Sequence, residues 1–339
     1  MIFLNKVYNI LVKKLYGKFD GKLFTYASVP GSYIALIYLL LKKKKKQIIL
    51  LPANAIGDCL YVFSFLESLN KFSSQTNTPM LIYASDRYKE LLKTYSLPLK
   101  NVVFIKHLGF KHLLLLMLSA SIRSQKQVVM AARRRVFASV PRCYGDFIPK
   151  EIVGTRNQLS YLLKVPTTPI SYHHPFKIDV SAIGDFSERR DRICVVNPYS
   201  CSMSFSQTLY EKICSKLKKI GFIVYTNVCG TQKEISGTRA LRCSVNELFS
   251  IASEIPLVVS VRSGILDFLI PSSVNMFVIY ETWGSHFNTS DPKYIADHYS
   301  LKEWCPKGHI YEAYMEKEND DVKILDEFDK YLKKWNLDV

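Results

Sequence analysis

Two ionisable residues follow apolar runs at places where a strand gives way to a helix. Asp58 closes Ala53-Asn54-Ala55-Ile56-Gly57-Asp58, which comes after Ile48, Ile49, Leu50, Leu51 and Pro52. A helix N-terminus favours an ionised carboxylate, and such a carboxylate accepts a proton from an attacking hydroxyl. The same position also suits a simple helix cap, and the residue types leave both readings open. Arg262 follows an apolar run over 256–261 and precedes Ser263-Gly264. Its guanidinium is permanently charged and matches phosphate oxygens in bidentate fashion. Arg133, Arg134 and Arg135 follow a third apolar stretch, either to meet an anionic acceptor or as an exposed charged turn. Serines alternate after Asn197 at Ser200, Ser202 and Ser204, and the N–H groups of that loop suit a diphosphate.

Other chemistries lack their signatures. The chain contains no G-x-G-x-x-G, no G-x-x-x-x-G-K-[ST] and no G-x-S-x-G, so dinucleotide oxidoreductases, P-loop enzymes and hydrolases lose support. No Asp-x-Asp pair is present to hold a divalent cation under a diphosphate, so no metal is expected and a fixed positive group must neutralise a phosphate leaving group. His173-His174 has no partners at ligand spacing. Eight cysteines are scattered without a C-x-x-C pair, which predicts reduced, mostly buried thiols.

The elements that position these residues alternate in type. Short apolar strands are expected at 48–51, 80–84, 102–106 and 127–131, with helices between them. The pattern weakens between about 165 and 192, where Pro166, Pro169 and Pro175 occur, and 171–192 is read as the linker. It restarts with strands at 193–197, 222–227, 256–261 and 275–280. Helices are expected at 209–220, closed by Gly221, from Ser244 with Glu247 as a capping box, and at 265–270. Such alternation predicts α/β architecture with parallel sheets in two tandem halves, 47–170 and 193–318. A last helix over 319–339 spaces Val322, Leu325, Phe328, Tyr331, Leu332 and Trp335 on one apolar face and is expected to bridge both halves. A cleft between two such sheets favours a nucleotide-linked ligand.

Charge is unevenly spread. The 339 residues carry 46 Lys plus Arg against 29 Asp plus Glu, a net +17, which predicts attraction to polyanions. Ten lysines and one acid fall within residues 1–46, so 10 − 1 = +9 sits in this segment. Its apolar run of nine residues at 33–41 would cover only about 14 Å as a helix, too little for a bilayer core of about 30 Å. With Lys42, Lys43, Lys44, Lys45 and Lys46 it suits an anionic membrane surface, or else a solvated run beside a packed helix. No nucleic-acid-binding pattern accompanies it, and no nucleic-acid partner is expected. No secretory signal is visible, which predicts a protein of the cytoplasm on the inner membrane face.

Several segments carry a family resemblance. IILLPANAIGDCLYVFSFLESL resembles the opening strand, turn and helix of the heptosyltransferase group, glycosyltransferase family 9. ICVVNPYSCSMS, VCGTQKE and SVNELFSIASEIPLVVSVRSGILDFL resemble, in order, that family's Ser/Gly-rich loop, its Gly-x-x-x-Glu turn, and its helix, strand and Asp-Ser-Gly turn. The resemblance implies a GT-B fold: two Rossmann-like domains facing a central cleft, acceptor on the first and nucleotide-sugar on the second, with a C-terminal helix across them. It implies a glycosyltransferase with Asp58 as general base, and the reaction expected is a single in-line, inverting displacement without a metal on a lipopolysaccharide, O-antigen or capsule acceptor that is lipid-linked or polysaccharide. Arg262 is the expected partner of the leaving diphosphate. Donor contacts are expected at Asn197, Ser200, Ser202, Ser204, Gly230, Arg262, Ser263, Gly264, Asp267 and Glu281, with Trp283 and His286 nearby. Acceptor contacts are expected at Asn54, Gly57, Arg133, Arg134 and Arg135. The chain departs from the family at Arg262, usually Asp, at Asp267, usually His, and at a lysine after the serine-rich loop, so the resemblance does not carry the donor's identity. Rival readings are a nucleotide-sugar epimerase on the same scaffold and a non-catalytic, membrane-associated assembly subunit.

Overall fold

The computed structural model describes residues 48–51, 66–76, 80–85, 102–105, 129–131, 157, 160, 190–200, 206–272, 274–281, 296, 300–302, 309–315 and 320–334. Two parallel sheets are built from them. The first contains β1 (Ile48–Leu51), β2 (Met80–Ser85), β3 (Val102–Ile105) and β4 (Val129–Ala131) in the order β3-β2-β1-β4, with helix α1 (Leu66–Thr76) between β1 and β2 in sequence. β1 pairs with β2 and with β4, and Leu51 lies opposite Ala131.

The second sheet has six strands: β5 (Ile193–Asn197), β6 (Ile223–Asn227), β7 (Arg239–Leu241), β8 (Leu257–Val261), β9 (Asn275–Glu281) and β10 (Ile310–Met315). Their order is β10-β9-β8-β5-β6-β7, all parallel. Counted from β5 this is the doubly wound order 3-2-1-4-5-6. The central strands β5 and β8 are buried along their whole length, as their unbroken apolar runs require of strands covered on both faces.

Local chemistry fixes the helices. α2 (Gln207–Lys219) starts at Ser206, whose Oγ accepts from the Leu209 N–H, and ends where Gly221 adopts φ +87°, a conformation open to glycine. The Gly221 and Phe222 N–H groups donate to the Lys218 and Leu217 carbonyls, completing a Schellman closure. α3 (Val245–Ala252) carries the expected capping box: Glu247 N–H donates to Ser244 Oγ and Ser244 N–H to the Glu247 carboxylate. Those hydrogen bonds hold the Glu247 carboxyl below its ordinary range. α4 (Gly264–Leu269) follows β8 directly.

α5 (Asp321–Lys334) packs on β9, β10 and α2. Ile324, Phe328, Tyr331 and Leu332 are fully or nearly fully buried, and Phe328 meets Phe277 edge-on at 4.9 Å between ring centroids. Val322, expected on the apolar face, is instead 70% exposed. It stands next to the start of the helix and falls outside the stripe that Ile324 and Phe328 set. The second-half side of the expected bridge is thus in place, held also by Lys212–Asp321 and Lys216–Asp329 ion pairs to α2.

Two strands escape sequence reading. β7 is a three-residue edge with Arg239 and Ala240 exposed, and β10 breaks its apolar face with the buried Glu312. Cys194 and Cys214 are buried, Cys243 is half-buried and Cys229 is exposed; all four are free thiols. Burial pushes the Cys214 and Cys243 thiols up to about 12. Among the described residues no helix is long and apolar enough to cross a membrane, and no cluster of His, Cys, Asp and Glu suits a metal ion. Residues 1–46 with Lys42 to Lys46, the linker 171–192 except its last three residues, His173 and His174, and Trp335 lie outside the described residues.

Candidate functional site

In the second sheet the strand order reverses between β5 and β8, and in open α/β sheets the crevice beyond the carboxyl ends of such a pair is where ligands bind. The chain places polar residues there. β5 ends in Asn197, β6 in Asn227, and β8 in Ser260-Val261 followed by Arg262 and Ser263. Asn197 lies directly opposite Ser260 in the ladder.

These side chains form one hydrogen-bonded layer across three strands. Asn227 Nδ2 donates to Asn197 Oδ1 at 3.0 Å. Asn197 Nδ2 donates to Ser260 Oγ at 2.9 Å and to Ser263 Oγ at 3.3 Å. Ser260 Oγ lies 3.0 Å from the Asn197 carbonyl oxygen and 2.7 Å from that of Val261, so its single proton is spent on backbone. Asn197, expected to touch the donor, is 6% exposed, and both of its amide protons are committed inside the protein.

Arg262 and Asp267, both expected as donor contacts, are brought together. The first turn of α4 folds Asp267 back onto the end of β8. Arg262 Nη2 donates to Asp267 Oδ1 at 2.8 Å and Nη1 to Oδ2 at 3.0 Å, with a further bond from Nη1 to the Ser263 carbonyl at 2.7 Å. Their side chains are 13% and 6% exposed. Burial works against the Arg262 charge, but Asp267, Tyr280 and Glu312 outweigh it and push the guanidinium's pKa up. Burial raises the Asp267 carboxyl against the pull of Arg262. The cation at this turn is therefore paired with a carboxylate and oriented before any ligand arrives.

Behind it stands Glu312, which sequence reading missed. Its carboxylate accepts from Tyr280 Oη at 2.7 Å, Ser300 Oγ at 2.8 Å, the Leu301 N–H at 2.7 Å and Tyr314 Oη at 3.2 Å. A lone Glu among Ile310, Ala313 and Met315 is the signal that could have pointed to it, since a buried carboxylate demands donors.

Of the remaining expected residues, Ser200 is half-buried just beyond β5, Gly264 opens α4, and Glu281 ends β9. Gly230 is exposed in a turn after β6, with φ +58°, and its carbonyl accepts from Arg242 Nη1 at 3.1 Å. Ser202, Ser204, Trp283, His286, Asn54, Gly57, Asp58, Arg133, Arg134 and Arg135 lie outside the described residues. Their strands are informative all the same. β1 ends at Leu51 and β4 at Ala131, opposite each other, so the segments carrying Asp58 and the three arginines leave from adjacent strands of the first sheet.

Comparison with solved structures answers the question of architecture. The E. coli ADP-heptose lipopolysaccharide heptosyltransferase II superposes with TM-score 0.52 at 12% identity, over 86% of this chain and 99% of that one. A family 9 glycosyltransferase from Veillonella parvula gives 0.51 at 12% identity, over 87% and 90%. The E. coli heptosyltransferase WaaC with ADP gives 0.50 at 9% identity, over 85% and 99%. The fold is GT-B. No protein-family model matches the sequence, and a search of the curated proteins found no match. The match extends over most of the chain, so the GT-B resemblance is not confined to the second sheet.

Proposed function

We propose that this protein is a glycosyltransferase that moves a sugar from a nucleotide-sugar to an acceptor of bacterial surface polysaccharide: lipopolysaccharide, O-antigen or capsule. The observation that carries the reading is the doubly wound second sheet whose reversal point holds an ordered polar layer ending at Ser263 and Arg262. In folds of this kind that crevice takes a nucleotide. The similarity in fold to heptosyltransferases, one of them solved with ADP, supports the same choice.

In this reading Asp58 accepts the proton of the acceptor hydroxyl as its oxygen bonds to the anomeric carbon. The bond from that carbon to the diphosphate breaks, and the nucleoside diphosphate leaves with both electrons, giving inversion. Arg262 and the N–H groups around Ser200, Ser202 and Ser204 stabilise the leaving group, with Gly230, Gly264, Asp267 and Glu281 around the donor. Asp267 contributes by holding Arg262. Asn54, Gly57 and Arg133 to Arg135 serve the acceptor. The absence of an Asp-x-Asp pair in the sequence supports chemistry without a metal, and residues 1–46 would hold the enzyme at the inner face of the membrane, beside a lipid-linked acceptor.

Thermal-shift screening against ADP-, UDP-, GDP- and CMP-sugars tests the reading. A true donor at a hundred times its Kd adds about 2.7 kcal/mol of stability, whereas no shift with any nucleotide sugar or diphosphate would refute it. With the donor in hand, Asp58→Asn should cut turnover by more than about tenfold; a smaller loss removes Asp58 as the base.

A further inference from the structure

The polar layer at the carboxyl ends of β6, β5 and β8 is more constrained than ligand contacts alone would require. Ser260 spends its one proton on a backbone carbonyl, so towards Asn197 it must act as acceptor. Asn197 must therefore turn its NH2 towards Ser260. At the opposite end, the Asn227 NH2 donates to Asn197 Oδ1 and demands the same orientation. The Asn197 amide is thus fixed from both sides, and its second proton goes to Ser263 Oγ. Ser263 occupies the N-cap position of α4 but makes no capping hydrogen bond with its side chain, and among the described residues its hydroxyl donates to none. With one lone pair taken by Asn197, the hydroxyl proton is turned away from Asn197 and is left to be given to another acceptor.

We propose that Asn227 is a positioning residue which, through Asn197, fixes the Ser263 hydroxyl as a hydrogen-bond donor to the diphosphate of a bound nucleotide. This rests on the nucleotide-sugar reading above. Asn227 itself touches no phosphate; its contribution is to hold the amide orientation. A hydroxyl free to rotate would divide its time between donor and acceptor roles, and only the donor role suits a phosphate oxygen.

The test uses calorimetry on the full chain with ADP, UDP and GDP and with the corresponding free nucleosides. In Asn227→Leu the diphosphate that binds best should lose about tenfold in affinity, the worth of one charge-assisted hydrogen bond, while the affinity of its nucleoside stays within twofold. Ser263→Ala should lose a similar amount, and the double variant no more than either single one. Ser263→Thr, which keeps the hydroxyl, should bind as the unaltered protein does. Unchanged diphosphate binding in Asn227→Leu, additive losses in the double variant, or equal losses for nucleoside and diphosphate would each overturn the proposal. If the unaltered protein binds none of the three diphosphates, this proposal falls, and the nucleotide-sugar screen described above decides separately whether the nucleotide reading falls with it. Should Asn227→Leu fail to fold, Asn227→Asp serves instead: its carboxylate cannot donate to Asn197 Oδ1, and the same selective loss is expected.

Discussion

Arg262 and Asp267 show how one residue pair acquires a role that neither has alone. Each is charged and largely withdrawn from water, Asp267 almost fully and Arg262 in part, and each is tolerable there because the other takes part in two parallel hydrogen bonds. Removing one partner leaves an uncompensated charge. Asp267→Asn should therefore lower unfolding free energy by about 3–5 kcal/mol, read from the urea midpoint, whereas Arg262→Leu with Asp267→Leu should recover much of that loss. The double variant also separates two roles for Arg262: if the guanidinium meets the diphosphate, nucleotide binding stays weak although stability returns, and full binding would confine Arg262 to the protein's own architecture. The sequence shows a cation after a strand and an acid five residues on, but not their pairing. That contact depends on the first turn of α4 folding back over the end of β8.

At the scale of elements, strands and helices were legible wherever pattern and burial agree. The expected 193–197 strand coincides with β5 because an unbroken apolar run has one stable home, between two covered faces. The capping box at Ser244 was readable because it is a local device of four residues. β10 was not readable, because Glu312 in its middle contradicts an apolar strand until Tyr280, Ser300 and Leu301 from other segments, with Tyr314 of the strand itself, supply four donors. α5 was readable as a helix, yet its docking on β9 and β10 was not. Phe328, wholly buried and in contact with the Phe277 and Tyr331 rings, is the centre of that docking. Phe328→Ala should cost about 3–5 kcal/mol, measured by chemical denaturation. A loss below 1 kcal/mol would mean that α5 is only loosely attached.

Over the whole molecule, positive charge is concentrated in the N-terminal stretch. With nine of the seventeen net positive charges in residues 1–46, binding to vesicles with anionic lipid should be strong at low salt. It should weaken as ionic strength shortens the screening length. Sedimentation with anionic and with neutral liposomes, for the full chain and for a form lacking 1–46, distinguishes the cases. Equal sedimentation by the truncated form would assign membrane binding to another surface. The sequence by itself determined the alternation of strands and helices, the two-part organisation and the placement of candidate residues at strand ends, since these follow from periodicity and from local turn chemistry. Only the tertiary structure decided that Arg262 is paired with Asp267, that Asn197 is hydrogen-bonded to Asn227, Ser260 and Ser263, and that Glu312 belongs in the interior. Hydrogen bonding between strands 30 to 66 residues apart depends on sheet order and register, which no local pattern encodes.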